Sequence, residues 1–287
     1  MCMVHLDNSG CMQPKQTENR RKLQSTAILL LLQLAAIAGL SCRNQRSEVE
    51  KDPGQPDKTV ATEKIAEADQ LYSQREDLSK VRLSVAELRQ ARIADYGNYE
   101  AAWKLARASY YLGAHTTDER ERDEAFREGS DVGKIAVQLD SGKPEGHFWL
   151  GANYGGAAEH STLAGLSTVE DIRREMEAVL KIDEQFQGGS AHLALGQLYL
   201  QAPRLLGGDY QKAIEHLEKG LKSGSNNAMI RLRLAEAYSD TNRDAEARKQ
   251  IEVILKMTPD PNYIPEYKEA VDMAKKLLEK IDRTGRR

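Results

Sequence analysis

Cysteine is nearly missing from this chain. Its three residues, Cys2, Cys11 and Cys42, lie in the first 42 of 287 positions, so nothing beyond them can form a disulfide, a zinc knuckle or a thiol nucleophile. Aromatics are 6% of residues and proline numbers 8, which argues against an all-β sandwich. The formal net charge is −3, so there is no basic footprint for a nucleic acid. A membrane-spanning run is also lacking: the longest apolar stretch, residues 26–40 (TAILLLLQLAAIAGL), is 15 long, short of the roughly 18–20 that a spanning helix needs. What is present, 40% hydrophobic and 30% charged residues, is enough for one or two helical cores.

Arg20, Arg21 and Lys22 precede the apolar stretch and Ser41-Cys42 follow it, the order of a bacterial export signal. An uncleaved anchor that recruits flanking residues is the alternative, and the polar stretch before Arg20 points to Met12 as a second possible start. Residues 39–42 (GLSC) resemble a lipobox, although Leu40 sits one place nearer the cysteine than that pattern has it. The resemblance implies that Cys42 is lipidated and anchors the chain to a membrane of the bacterial envelope, facing the periplasm. Cleavage there removes Lys15, Arg20, Arg21 and Lys22 with Asp7 and Glu18, taking the formal charge from −3 to −5. The expected organisation is a signal over 1–42, a flexible polar tether over 43–62, about five repeats over 63–260, and a capping helix with tail over 261–287.

From residue 63 onward apolar positions recur every three or four residues, and breaks fall at clusters such as Ser141-Gly142-Lys143-Pro144 and Gly224-Ser225-Asn226-Asn227. A motif repeats: Leu150-Gly151-Ala152-Asn153-Tyr154, Leu195-Gly196-Gln197-Leu198-Tyr199 and Leu234-Ala235-Glu236-Ala237-Tyr238. This resembles the tetratricopeptide repeat family. The last copy carries the match at native spacing through Arg231, Leu234, Ala235, Tyr238, Ala247, Ile251 and Pro259, and the copy before it adds Ala213. The resemblance implies an all-α fold of helical hairpins wound into a right-handed superhelix. Small residues at Gly151, Gly196 and Ala213 let paired helices approach closely, with Leu150, Leu195, Tyr154 and Tyr199 filling the space between them. Taking Ile65, Trp103, His147, His192 and Arg231 as equivalent, the repeats are 38, 44, 45 and 39 residues long, against roughly 34 in the family. The excess is expected in loops near 113–124 and 155–170, on a rim that serves binding. His147 and His192 then replace a packing tryptophan, while Tyr267, Val271, Ala274, Leu278 and Ile281 form the buried face of a capping helix.

No metalloprotease, serine-hydrolase or phosphate-binding motif occurs, so no cofactor or metal is called for and an enzyme is not expected. Glu159 and His160 are a lone polar pair inside an insertion. The concave face of the superhelix is expected to present Lys104, Tyr111, Phe148, Ala152, Gly155, Leu193, Gln197, Leu200, Leu232 and Glu236 as an apolar groove for a partner or ligand, unless the capping segment or a second subunit fills it.

A closer resemblance rests on residues 146–221: His147 to Gly155 (HFWLGANYG), Leu180-Lys181-Ile182-Asp183, Gly188-Gly189-Ser190-Ala191-His192, and Ala202-Pro203 before Leu206-Gly207-Gly208-Asp209. This block is similar to the T component of TRAP-type transporters. The resemblance implies a periplasmic lipoprotein that assembles, in some members as a trimer, and contacts the solute-binding protein feeding the transporter. Two other functions fit the same architecture: a general envelope-assembly scaffold, and a non-catalytic carrier of a hydrophobic small ligand.

Overall fold

The computed structural model describes residues 56–159 and 162–284, with side chains for 56–159 and 168–283. Cys42, the expected export signal, most of the expected tether and His160 lie outside the described residues. Eleven α-helices follow in order: α1 Lys58–Tyr72, α2 Leu78–Ala94, α3 Tyr99–His115, α4 Glu119–Leu139, α5 Pro144–Glu159, α6 Thr162–Ile182, α7 Ser190–Gln201, α8 Tyr210–Ser223, α9 Ala228–Asp240, α10 Asp244–Lys256 and α11 Ile264–Thr284. There is no strand among the described residues. Aspartate or asparagine starts many of them, because a short side-chain oxygen can take an otherwise unpaired N–H of the first turn. Asp57 accepts from Val60, Asn98 from Ala101, Asp118 from Glu121, and Asp209 from Gln211 and Lys212.

The helices pair as five hairpins, α1–α2 through α9–α10, capped by α11. First helices of successive hairpins pack on one another, α3 against α5 and α7 against α9, while second helices approach less closely and form the outer layer. That asymmetry makes the first helices the concave face. Three apolar cores run along the array: one over α1–α5, one joining α5 to α7, and one over α8–α11.

The extra length of the repeats is mostly helix rather than loop, correcting the expectation. Residues 113–124 form the end of α3, a short turn and the first turn of α4, and α4 and α6 are 21 residues each. Charged residues suit a helix whose one face is solvated, so a charge run alone does not mark a loop. Here Glu121 takes both donors of Arg82, at 2.6 and 2.8 Å, and seven residues on Glu128 takes Arg89 at 2.6 and 2.8 Å. α1 begins at Lys58, inside the 43–62 span expected as tether, and the Asp57 N–H donates to Ala94 O at 2.8 Å, holding that residue against the end of α2.

The two ends of the array meet. Arg75, in the α1–α2 turn, donates through Nε and Nη2 to both oxygens of Glu266 at 3.0 and 2.8 Å, and through Nη2 to Asn262 O at 2.6 Å. Lys268 Nζ donates to Glu76 at 2.5 Å beside it. The start of α11 therefore reaches back 191 residues to the first hairpin and clasps the superhelix shut.

Close approach within hairpins sets a measurable asymmetry. A Cβ on Gly196 would lie 2.5 Å from Leu217 Cγ, whereas one on Gly155 would meet nothing within 4 Å. Gly196→Ala is expected to destabilise by about 1–3 kcal/mol through overpacking, net of the roughly 1 kcal/mol that alanine gains over glycine in a helix. Gly155→Ala should stabilise by about 1 kcal/mol. Urea melts of the two variants will move in opposite directions; parallel shifts would show that helix propensity alone governs both sites. For the clasp, Arg75→Ala is expected to cost about 1.5–3 kcal/mol, because its side chain is 9% exposed and its bonds are charge-assisted. A double-mutant cycle with Glu266→Ala measures the coupling, and additive losses would rule the clasp out.

Candidate functional site

At the first two hairpins the concave face is closed by its own neighbours. Lys104 pairs with Asp69 of α1 and Glu100, and Arg107 donates to Asp69 at 3.1 Å with its guanidinium 4.1 Å above the Tyr72 ring. Tyr111 packs edge-on against Tyr72 at 5.9 Å. Lys104 and Tyr111 are each 7% exposed, and Leu232 is fully buried in the C-terminal core, so these three do not line an open groove as expected. The physical reason is side-by-side packing of first helices, reinforced at α9 by α11, which covers positions that an isolated repeat would leave open. Phe148 is half-buried between Trp149 and Phe186, at 4.9 and 5.4 Å, and couples the first core to the second. Ala152 packs on the first core and Leu193 on the C-terminal one.

Between α5 and α7 the inner packing thins, and Gln197 Nε2 bridges the gap to Glu159 Oε1 at 2.9 Å. Gly155 faces open space there. Beyond it lies a cleft of about 430 Å³ between α7, α9 and α11, lined by Gln197, Leu200, Arg233, Glu236, Met273 and Leu277 among others. Arg233 Nη1 bonds Glu236 at 2.9 Å, while its buried Nε has no hydrogen-bond partner among the described residues. Burial pushes the Tyr110 phenol up to about 12, and the charges acting on it, Glu159, Arg233 and Glu269, come from α5, α9 and α11. Gly155, Gln197, Leu200 and Glu236 are thus the expected groove residues that meet an opening. Arg233, Met273 and Leu277 were not expected there, since which face of α11 turns inward depends on tertiary packing.

The repeat-packing residues are distributed along the array. Leu150, Leu195, Leu234, Ala213, Ala235 and Ala247 are buried, Tyr154, Tyr199 and Pro259 are half-buried, and Tyr238 donates to Glu218 at 2.8 Å. A Cβ on Gly151 would press on the Met176 methyl at 2.4 Å. Trp103 is half-buried, with Lys104 and Arg107 over its ring. Of the positions equivalent to Trp103, Ile65 packs in the first apolar core, and the three later ones carry polar bridges between the two helices of a hairpin. His147 Nδ1 meets Glu175 at 2.7 Å, His192 Nδ1 meets His216 Nδ1 at 3.0 Å, and Arg231 donates to Gln250 at 2.9 Å. His147 and Arg231 also bond a carbonyl of the preceding turn, at Ser141 and Ser225. Asn153, not singled out in sequence, is fully buried and donates to Ala106 O at 3.0 Å and Trp149 O at 2.7 Å, tying α5 to α3.

The sequence profile of the TRAP transporter T-component family matches residues 86–282. The chain belongs to that family. Among curated proteins no sequence match is found. Among solved structures, a thermophilic tetratricopeptide repeat protein of Thermus thermophilus superposes on this T component with a TM-score of 0.56 at 20% identity, over 74% of this chain and 98% of that one. MamA superposes with a TM-score of 0.43 at 16% identity over 73% and 95%. The fold is thus that of tetratricopeptide repeats, as expected. Family membership implies a bacterial envelope location and, with the repeat architecture, a helical protein-interaction module. No described helix is long and apolar enough to cross a membrane.

The His192–His216 bridge makes the T component pH-sensitive. One Nδ1 must donate and the other accept, so protonating the accepting ring at Nδ1 breaks the bond, whereas the donating ring takes its second proton on Nε2. Burial, then His192 and Lys219, holds His216 down at about 4 from an ordinary 6.5; burial also lowers His192 against the pull of Glu184. Lys212 adds to the downward push and Glu215 opposes it. For a base with a depressed folded pKa, the unfolded chain binds more protons between the two values. The associated stability is therefore full above about pH 6.5 and is lost as pH falls toward about 4. Thermal melts should show a lower Tm at pH 5 than at pH 7.5, and His216→Gln should narrow that difference.

Proposed function

We propose that this T component is a non-catalytic, lipid-anchored docking protein that holds the solute-binding protein of its transporter at the membrane surface. Cys42 carries the anchor in this reading. The observation supporting the reading is the cleft at α7, α9 and α11, whose lining combines apolar Leu200, Met273 and Leu277 with Arg233, Glu236, Lys276 and Lys280, charges of both signs. An apolar centre with a polar rim is the anatomy of a protein contact. The same cleft lies within the volume range of small-ligand sites, which supports the second reading, a carrier of a hydrophobic ligand. A general envelope scaffold would use the same architecture with a different partner.

The test is equilibrium binding of the full lipidated chain to the purified solute-binding protein encoded beside it. Leu200→Gln should weaken binding about tenfold or more, as loss of an apolar anchor does, with little change in melting. No binding by the wild type would overturn the docking reading; a bound lipid or other apolar compound in an organic extract of the purified protein would favour the carrier.

A further inference from the structure

The most anomalous apolar surface of the molecule is one side chain. Leu205 is 98% exposed, far beyond any other large hydrophobic residue described. It sits on the lengthened connection between α7 and α8, in the short 3₁₀ turn Arg204–Leu206. That connection is held by its own backbone. Leu206 N–H and Gly208 N–H donate to Pro203 O at 2.8 and 3.1 Å, Gly207 N–H to Arg204 O at 3.1 Å, and Asp209 N–H to Tyr199 O at 2.9 Å. Gly207 has φ +92°, and a Cβ on Gly208 would lie 1.8 Å from Ala202 O, so the path admits these glycines and little else. A leucine pinned outward on a fixed turn loses little freedom when it enters a partner.

Its surroundings are basic. Arg204 beside it is exposed, and Arg173 Nη2 lies 3.1 Å from where Gly207 would carry a Cβ. Arg173 and Lys212 both lie over the Tyr199 ring, at 5.8 and 5.6 Å. Of the nearby carboxylates, Glu170 is paired with Arg173 and Asp209 caps α8 through the N–H groups of Gln211 and Lys212. The turn also continues the cleft, because Gln201, just before it, is one of the lining residues.

We infer that the 202–209 turn is the edge of the docking surface, with Leu205 inserting into an apolar pocket of a protein partner whose rim carries carboxylates facing Arg204 and Lys212. This deepens the interaction-module reading and rests on it.

The experiment places a photo-crosslinking residue at position 205 of the full chain in its native envelope, with position 83 as control, since Leu83 is also exposed, at 49%, on the outer helix α2. The expected result is an adduct from 205 and not from 83. The purified adduct partner should bind wild type at least tenfold more tightly than Leu205→Glu, and Arg204→Glu should weaken it further at low salt. If that partner is the solute-binding protein, both readings stand. A different envelope protein meeting the same affinity criterion upholds the surface and removes the transporter assignment. An adduct with a second copy of the chain, no adduct, or a Leu205→Glu variant that binds like wild type overturns the inference.

Discussion

Everything in this superhelix depends on how closely the two helices of a hairpin can approach. The approach is set by positions with no side chain: Gly196 lies against Leu217, Gly151 against Met176, and the Phe126 ring is wedged between Gly113 and Gly156. Glycine lowers intrinsic helix stability, so these helices gain their order from packing rather than from propensity. The trade is visible in α5, which holds Gly146, Gly151, Gly155 and Gly156 and yet has four other helices, α3, α4, α6 and α7, packed against it. Where a hairpin is tight, its outer helix can carry charge freely, as the Arg82–Glu121 and Arg89–Glu128 pairs show.

The fold was legible in sequence because its signal is periodic and repeated. Leu-Gly/Ala-x-x-Tyr recurs on three first helices, and Pro259 and the Tyr267–Ile281 face marked the end of the array. The candidate site was legible only in part. Gly155, Gln197, Leu200 and Glu236 were found because a repeat assigns each position a direction. Lys104, Tyr111 and Leu232 were misplaced because that direction is defined within one hairpin, whereas burial on the concave face is decided by the next hairpin and by α11. Leu205 carried a signal, a leucine beside a Gly-Gly turn in an overlong connection, but exposure of one side chain cannot be read from periodicity.

The equivalent positions His147, His192 and Arg231 show how a repeat diverges without losing its frame. Each keeps a bridge from first helix to second, and each does so with a different partner: Glu175, His216 or Gln250. Burying a polar group is tolerated when its bonds are met. At His192–His216 the cost is sensitivity to protonation, which the apolar equivalent Ile65 in the first repeat does not have.

The clasp of Arg75 on Glu266 and Asn262 changes what kind of object the array is. An open solenoid is quasi-one-dimensional, and its terminal repeats can fray without disturbing the middle. Here the last helix is held by the first hairpin, so neither end is a free terminus from which unravelling can begin. Loss of α11 would be felt at the first hairpin through Arg75 as well as at α9 and α10, and the chain should open as one cooperative unit rather than repeat by repeat.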